Sequence, residues 1–350
     1  MRCYTAFAVL TVLIALPAPP VPDQSPPPAT PPTAQPLQPV PPVKAAAPQS
    51  PQTFPGLTIP GGTLLPIQLN YRVWNGIPIV EGRVNGGVLE SIALATGLNQ
   101  NAVTPDADER FKLKHLVSQV SLLTLDTTTL ASEAQLAELQ FNFAKLKDAR
   151  VVVADVYSLL TVLRRPDAPA LWLGIPFFTA FQTTFDFEKH LVRLANVNAP
   201  LPKDVGAITI PLEKKNGRLF VRLAIPRGGA FSALVDTASP GTLIPAAAAD
   251  RLKLTPLKTL TVRGRDGKQA QAQVVRLPSL TLGKTEQKNF TVLHLMKNAP
   301  PEFDKTLGIL GTDFLSHYRV TISIAHSKMV LVPAAAPETD KPEADTADEF

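Results

Sequence analysis

Landmarks in this chain recur at a fixed spacing. Asn75-Gly76 returns as Asn216-Gly217, Val80 as Val221, Gly87 as Gly228, Thr96 as Thr237, and Arg110 with Lys112-Leu113 as Arg251 with Lys253-Leu254, every pair 141 positions apart (216 − 75, 237 − 96, 251 − 110). A constant offset over so many landmarks means tandem duplication of one supersecondary unit, so the chain has to fold as two copies of the same piece. In each copy an Asn-Gly turn precedes an apolar strand. A Gly-containing turn follows, Asn85-Gly86-Gly87 or Pro226-Arg227-Gly228-Gly229, and a second apolar strand runs into Ala95-Thr96-Gly97 or Asp236-Thr237-Ala238-Ser239. The copies close on Leu171-Trp172-Leu173-Gly174-Ile175-Pro176-Phe177-Phe178 and Gly308-Ile309-Leu310-Gly311-Thr312-Asp313-Phe314-Leu315, now 137 apart (311 − 174).

Between these landmarks lie short Val, Ile and Leu runs broken by Gly, Asn and Pro, with few long helical periods. That pattern predicts an all-β architecture, mostly antiparallel with short helices, built as two lobes facing a shared cleft. The first lobe is expected over residues 70–198 and the second over 206–333. Residues 19–65 are rich in Pro, Ala and Gln with almost no charge, too poor in large apolar groups to order themselves, and are expected to act as a tether. Residues 334–350 form an acidic tail of the same kind.

Residues 1–18 carry one Arg followed by an apolar run from Ala6 to Leu16, the charge and length of a secretory signal and short for a bilayer span. Because Pro19 and Pro20 follow Ala18, cleavage and retention as an N-terminal anchor both stay open. Cys3, inside this segment, is the only cysteine, so the rest of the chain has neither an internal disulfide nor a thiol nucleophile. Export to a bacterial periplasm is the expectation. The net charge of +5 is mild and the basic residues are scattered without aromatic interleaving, which excludes nucleic acid as the implied partner.

The order Ala233-Leu234-Val235-Asp236-Thr237-Ala238-Ser239, a flap-like Gly264-Arg265-Asp266-Gly267 turn, then Gly308-Ile309-Leu310-Gly311-Thr312-Asp313-Phe314-Leu315, resembles the retropepsin-like aspartic peptidases. The resemblance spans roughly Tyr71 to Pro333. It implies a lobe pair in which each lobe offers one Asp-Thr-Gly loop to a common cleft, where two carboxylates share a proton and activate a water toward the scissile carbonyl. It also implies that Thr96 and Thr237 hydrogen-bond across the lobe interface, and that no cofactor or metal is used.

The chain departs from that pattern at the decisive atom. Asp236 occupies the catalytic position of the second copy, but the first copy has Ala95, whose methyl supplies neither acid nor base. Gly97 keeps the family glycine and Ala238 replaces it, which puts the local backbone geometry in question. The first copy has no glycine between Leu125 and Leu130 to make a flap turn. A single Asp facing Ala is expected to titrate close to an ordinary carboxylate. The expected function is an exported peptidase homologue with weak or no proteolytic activity as a monomer, its lobes paired within one chain and its cleft suited to an extended peptide or protein ligand. The alternative is an active endopeptidase formed when two chains join their second lobes and bring two copies of Asp236 together.

Other candidates have simpler roles. Asn99, Gln100 and Asn101 could hold a water but do not titrate near neutrality. Asp106 and Asp108 lie too far along the chain to replace the missing carboxylate. Ser239 with His317 or His326 lacks a nucleophile-elbow sequence. The five histidines are too dispersed for a metal site. Asp313 is expected to serve a helix start, and Asn289-Phe290-Thr291 fits a glycosylation acceptor.

Overall fold

The computed structural model of the chain describes residues 57–58, 66–123, 128–142, 144–154, 168–263, 269–295 and 307–334. The leader or anchor of residues 1–18, nearly all of the 19–65 tether, the Gly264 to Gly267 turn and the acidic tail beyond Ala334 lie outside the described residues. Within 19–65, Leu57–Thr58 forms a strand against Leu146 and Lys145. Among the described residues no helix is long and apolar enough to cross a membrane.

Both Asn-Gly pairs are hairpin turns. Asn75 and Gly76 have φ of 48° and 80°, and Asn216 and Gly217 have 49° and 71°. Two successive left-handed residues give the turn whose twist matches its flanking strands, and Asn-Gly adopts it at low steric cost. The turns join Arg72–Trp74 to Ile77–Val84 and Glu213–Lys215 to Arg218–Ile225. After a second turn each chain returns along Leu89–Leu94 or Gly229–Val235. The closing strands Leu171–Leu173 and Leu307–Leu310 add in parallel to these return strands. The C-terminal ends of the return and closing strands therefore meet at residue 95 in one lobe and at residue 236 in the other. Seven-residue helices, Pro105–Phe111 and Ala246–Leu252, end on left-handed Lys112 and Lys253, themselves one repeat apart.

The lobes are joined by a six-stranded antiparallel sheet to which both contribute. Its order is Ile208–Pro211, Lys328–Pro333, Tyr318–Ser323, Phe181–Asp186, Leu191–Asn196 and Ile67–Asn70. At its centre Thr184 pairs with Thr321, the residue 137 positions later (321 − 184), and their hydroxyls hydrogen-bond at 2.8 Å. A residue paired with its own repeat equivalent marks a local twofold axis, so the two lobes are related by rotation about this point. The apolar residues of Phe181–Asp186 and of the short helix Ile175–Thr179 fill the layer beside it. Phe177, Phe178, Phe181 and Phe185 are all fully buried, with Phe177 edge-on to Phe178 at 5.4 Å between ring centroids.

The turn of one lobe seats on the active-site loop of the other. The Gly76 carbonyl accepts a hydrogen bond from Thr312 Oγ1 at 2.8 Å, and a Cβ at Gly76 would lie 2.7 Å from Pro240 Cβ. Gly76→Ala therefore combines positive-φ strain with a steric clash and is expected to cost about 2–3 kcal/mol. Gly86→Ala is the control, since Gly86 has φ of +72° but a Cβ there would meet nothing within 4 Å; it should cost only about 1 kcal/mol. Urea denaturation compares them, and equal losses would refute the contact.

Candidate active site

Two loops meet at the local twofold, and threonine hydroxyls lock them together. Thr96 Oγ1 donates to the Val235 carbonyl at 2.8 Å and Thr237 Oγ1 donates to the Leu94 carbonyl at 2.5 Å. In return the Thr237 N–H donates to Thr96 Oγ1 at 3.0 Å, and the Thr96 N–H to Thr237 Oγ1 at 3.2 Å. Both threonines are fully buried. Backbone symmetry extends to the motif itself, since Ala95 N–H donates to Leu173 O at 2.8 Å and Asp236 N–H to Leu310 O at 3.1 Å. At the two loops the backbones match; the side chains at 95 and 236 differ.

The difference lies at residues 95 and 236. Asp236 is 4% exposed, and its Oδ1 accepts hydrogen bonds from the N–H of Ala238 at 2.8 Å and, across the interface, from the N–H of Gly97 at 3.2 Å. Ala95, fully buried, holds the equivalent place in the first lobe. Burial pushes the Asp236 carboxyl up to about 6, against the pull of the Ala238 and Gly97 N–H groups and of the Arg218 charge. The ordinary-carboxylate expectation is corrected here: loss of the partner carboxylate removes one reason for a raised value, but desolvation supplies another.

Gly97 is required for space. A Cβ on Gly97 would stand 2.3 Å from Asp236 Cγ, so the second-lobe carboxylate lies where a first-lobe side chain would be. Neither Gly97 nor Ala238 has positive φ, so alanine at 238 brings no backbone strain, which corrects the expectation for that position. The local twofold then has a consequence for residue 238. Gly97 is to Asp236 as residue 238 is to residue 95, so the Ala238 methyl projects toward the space that a carboxylate at 95 would need. Ala95 and Ala238 indeed share one buried apolar cluster. The lost carboxylate and the gained methyl are complementary.

A raised carboxyl has a sign in stability. The folded chain holds the Asp236 proton up to about pH 6 and the unfolded chain only to 3.8, so unfolding free energy falls as pH rises between these values, by up to about 3 kcal/mol. Asp236→Asn keeps an acceptor for both N–H donors and cannot ionise. It is expected to remove the Asp236 share of the decline and leave that of any other buried carboxyl, as urea denaturation of both proteins between pH 4 and 7 would show; an unchanged slope would contradict the raised value.

Asp313 answers to its structural expectation and adds one detail. Its carboxylate accepts from Thr242 N–H at 2.8 Å, Thr242 Oγ1 at 2.6 Å and Phe314 N–H at 2.8 Å, and burial pushes it too up to about 6. Thr242 Oγ1 in turn accepts from Gly311 N–H at 3.2 Å. In the first lobe Asn101 Oδ1 satisfies the equivalent Gly174 N–H directly at 3.0 Å. One lobe uses an amide where the other uses a hydroxyl held by an acid.

The remaining candidates are committed elsewhere. Asn99 Nδ2 donates to Ser121 O at 2.9 Å and its Oδ1 accepts from Leu123 N–H at 2.7 Å, while Asn101 Nδ2 donates to Arg150 O at 3.1 Å, so these amides serve the scaffold and not a water. Asp108 faces His115 at 2.9 Å. Ser239 is fully buried and donates to Gly241 O at 2.8 Å, and His326 Nδ1 lies 2.8 Å from Ser323 Oγ. Asn289 is exposed on the strand Thr285–Leu295. Among the described residues no three His, Cys, Asp or Glu side chains could hold a metal ion.

Sequence reasoning missed Arg218. Arg218 opens the strand that pairs with Gly229–Val235, the strand leading into Asp236, and this arginine is 7% exposed with its charge felt at the carboxylate. The signal was present in the two turns, since their positions fix the hairpin register.

Comparison with known proteins places this geometry. Residues 221–314 match the family model described as aspartyl protease. Among solved structures, the aspartic proteinase from Irpex lacteus aligns at TM-score 0.50 and 12% identity, covering 77% of this chain and 98% of that one. The basic 7S globulin from soybean aligns at TM-score 0.46 and 11% identity, covering 77% and 94%. No curated protein matches the sequence. The second lobe thus resembles the aspartyl protease family over residues 221–314, and the two lobes together carry the aspartic proteinase fold.

Proposed function

We propose that this chain is an exported retropepsin-like peptidase homologue with weak or no proteolytic activity as a monomer, whose cleft holds an extended peptide without turning it over. The observation that carries this reading is the side-chain asymmetry on a symmetric scaffold: Asp236 is matched by Ala95 while the surrounding hydrogen bonds are kept in both halves. Water activation in this family requires one group to accept the water proton and another to donate to the carbonyl oxygen. A lone carboxylate, ionised above about pH 6, can do only the first. The hydrogen bonds between Thr96 and Thr237, the shared six-stranded sheet and the crossing of Gly76 onto the opposite loop favour lobe pairing within one chain over a homodimer of second lobes.

Incubating the full chain with a mixed library of extended peptides, then separating bound from free, tests the reading. Peptides are expected to be retained and recovered intact at pH 4 and at pH 7. Recovery of cleaved peptides would overturn it.

A further inference from the structure

The duplication provides an internal control for surface chemistry. Beside the hairpin formed by Arg218–Ile225 and Gly229–Val235 lies a pocket of about 480 Å³ lined by Lys215, Arg218, Arg222 and Arg251, with Phe220 and Phe231 among its apolar residues and no acidic side chain. One repeat earlier, 141 positions back, these six positions are Trp74, Ile77, Glu81, Arg110, Ile79 and Glu90. There Arg110 is neutralised by Glu90 at 3.0 Å. The first-lobe set holds one cation and two acids; the second-lobe set holds four cations and none. Equivalent hairpins thus carry sets whose formal charges are −1 and +4, the latter before the neighbouring Asp236 that feels Arg218 is counted.

We propose that the second-lobe pocket binds a small polyanion, a ligand with two or more phosphate or carboxylate groups. Arg222 and Arg251 are exposed, and among the described residues neither is paired with an acid. Arg251 spends its Nε on the Ala247 carbonyl at 2.9 Å, which fixes the guanidinium at the rim. Lys215 meets Glu213 at 2.8 Å, but both are more than half exposed, and such a pair is readily exchanged for a stronger anion. Arg218 forms the inner end of the site, its guanidinium carbon 5.9 Å from the Phe220 ring centroid. The segment 296–306, which leads into the lining residue Leu307, holds Lys297, Lys305, Glu302 and Asp304, so it adds no net charge. Arginine forks on phosphate or carboxylate are bidentate and strong, and two or three converging on one concavity select multiply charged ligands over chloride.

Calorimetric titration of the full chain with pyrophosphate and, separately, with citrate tests this at low and moderate salt. Saturable binding to either probe is expected, weakened at least tenfold by Arg222→Glu, which installs the first-lobe residue type, and similarly by Arg251→Gln. Glu81→Arg, the reverse change on the first lobe, should leave affinity within twofold. Binding of pyrophosphate alone points to phosphate ligands, and of citrate alone to carboxylates. No saturable binding by either probe, or binding that both second-lobe variants retain, would overturn the proposal. All three positions are exposed, so the variants are expected to fold.

Discussion

The double substitution Ala95→Asp with Ala238→Gly is expected to create acid-favoured, pepstatin-sensitive peptidase activity at least about 10²-fold above that of the unaltered chain. Neither change alone should suffice. Ala95→Asp restores a carboxylate on a scaffold whose loops already meet through Thr96 and Thr237, but its carboxyl group would press against the Ala238 methyl, as a Cβ on Gly97 would press against Asp236 at 2.3 Å. That overpacking is expected to cost about 1–3 kcal/mol and to misplace the new acid. Ala238→Gly alone opens the space and leaves it empty. Kinetic assay of the four proteins at pH 4 to 5, with urea denaturation of each, separates the cases. A fully active and fully stable Ala95→Asp single variant would show that residue 238 does not guard the site.

The second large effect is expected on stability. Thr237→Val removes, at constant shape, a hydroxyl that donates to the Leu94 carbonyl and accepts from the Thr96 N–H, both within a fully buried interface. Two backbone groups are left unsatisfied, each worth about 1–3 kcal/mol, so a total loss of about 3–5 kcal/mol follows. Thr237→Ser keeps the hydroxyl and should lose about 1 kcal/mol, the cost of one buried methyl group. Denaturant midpoints measure both. Equal losses for valine and serine would mean that packing, and not the hydrogen bonds, holds the lobes together.

Much of this was legible in the sequence for a specific reason: a duplication makes each half an alignment partner for the other. The 141-residue offset by itself locates the Asn-Gly hairpins, the Thr96 and Thr237 pair and the mismatch of Ala95 with Asp236. What stayed hidden depends on packing across the interface. The use of Gly97 could not be assigned, because the backbone reason for glycine, positive φ, is absent and the steric reason lies in the other lobe. The raised Asp236 carboxyl follows from burial, which a loop sequence does not reveal. Asn101 and Thr242 occupy equivalent positions and satisfy equivalent glycine N–H groups by different chemistry. No pattern in residue type alone would have linked them.

The central claim is that a single carboxylate, Asp236, stands where water activation needs two. Turnover of a fluorogenic peptide mixture by the purified full chain from pH 3 to 7, beside Asp236→Ala, measures it most directly. Indistinguishable background rates for the two proteins, unaffected by pepstatin, are the predicted result. Pepstatin-sensitive cleavage by the unaltered chain that disappears in Asp236→Ala would contradict it.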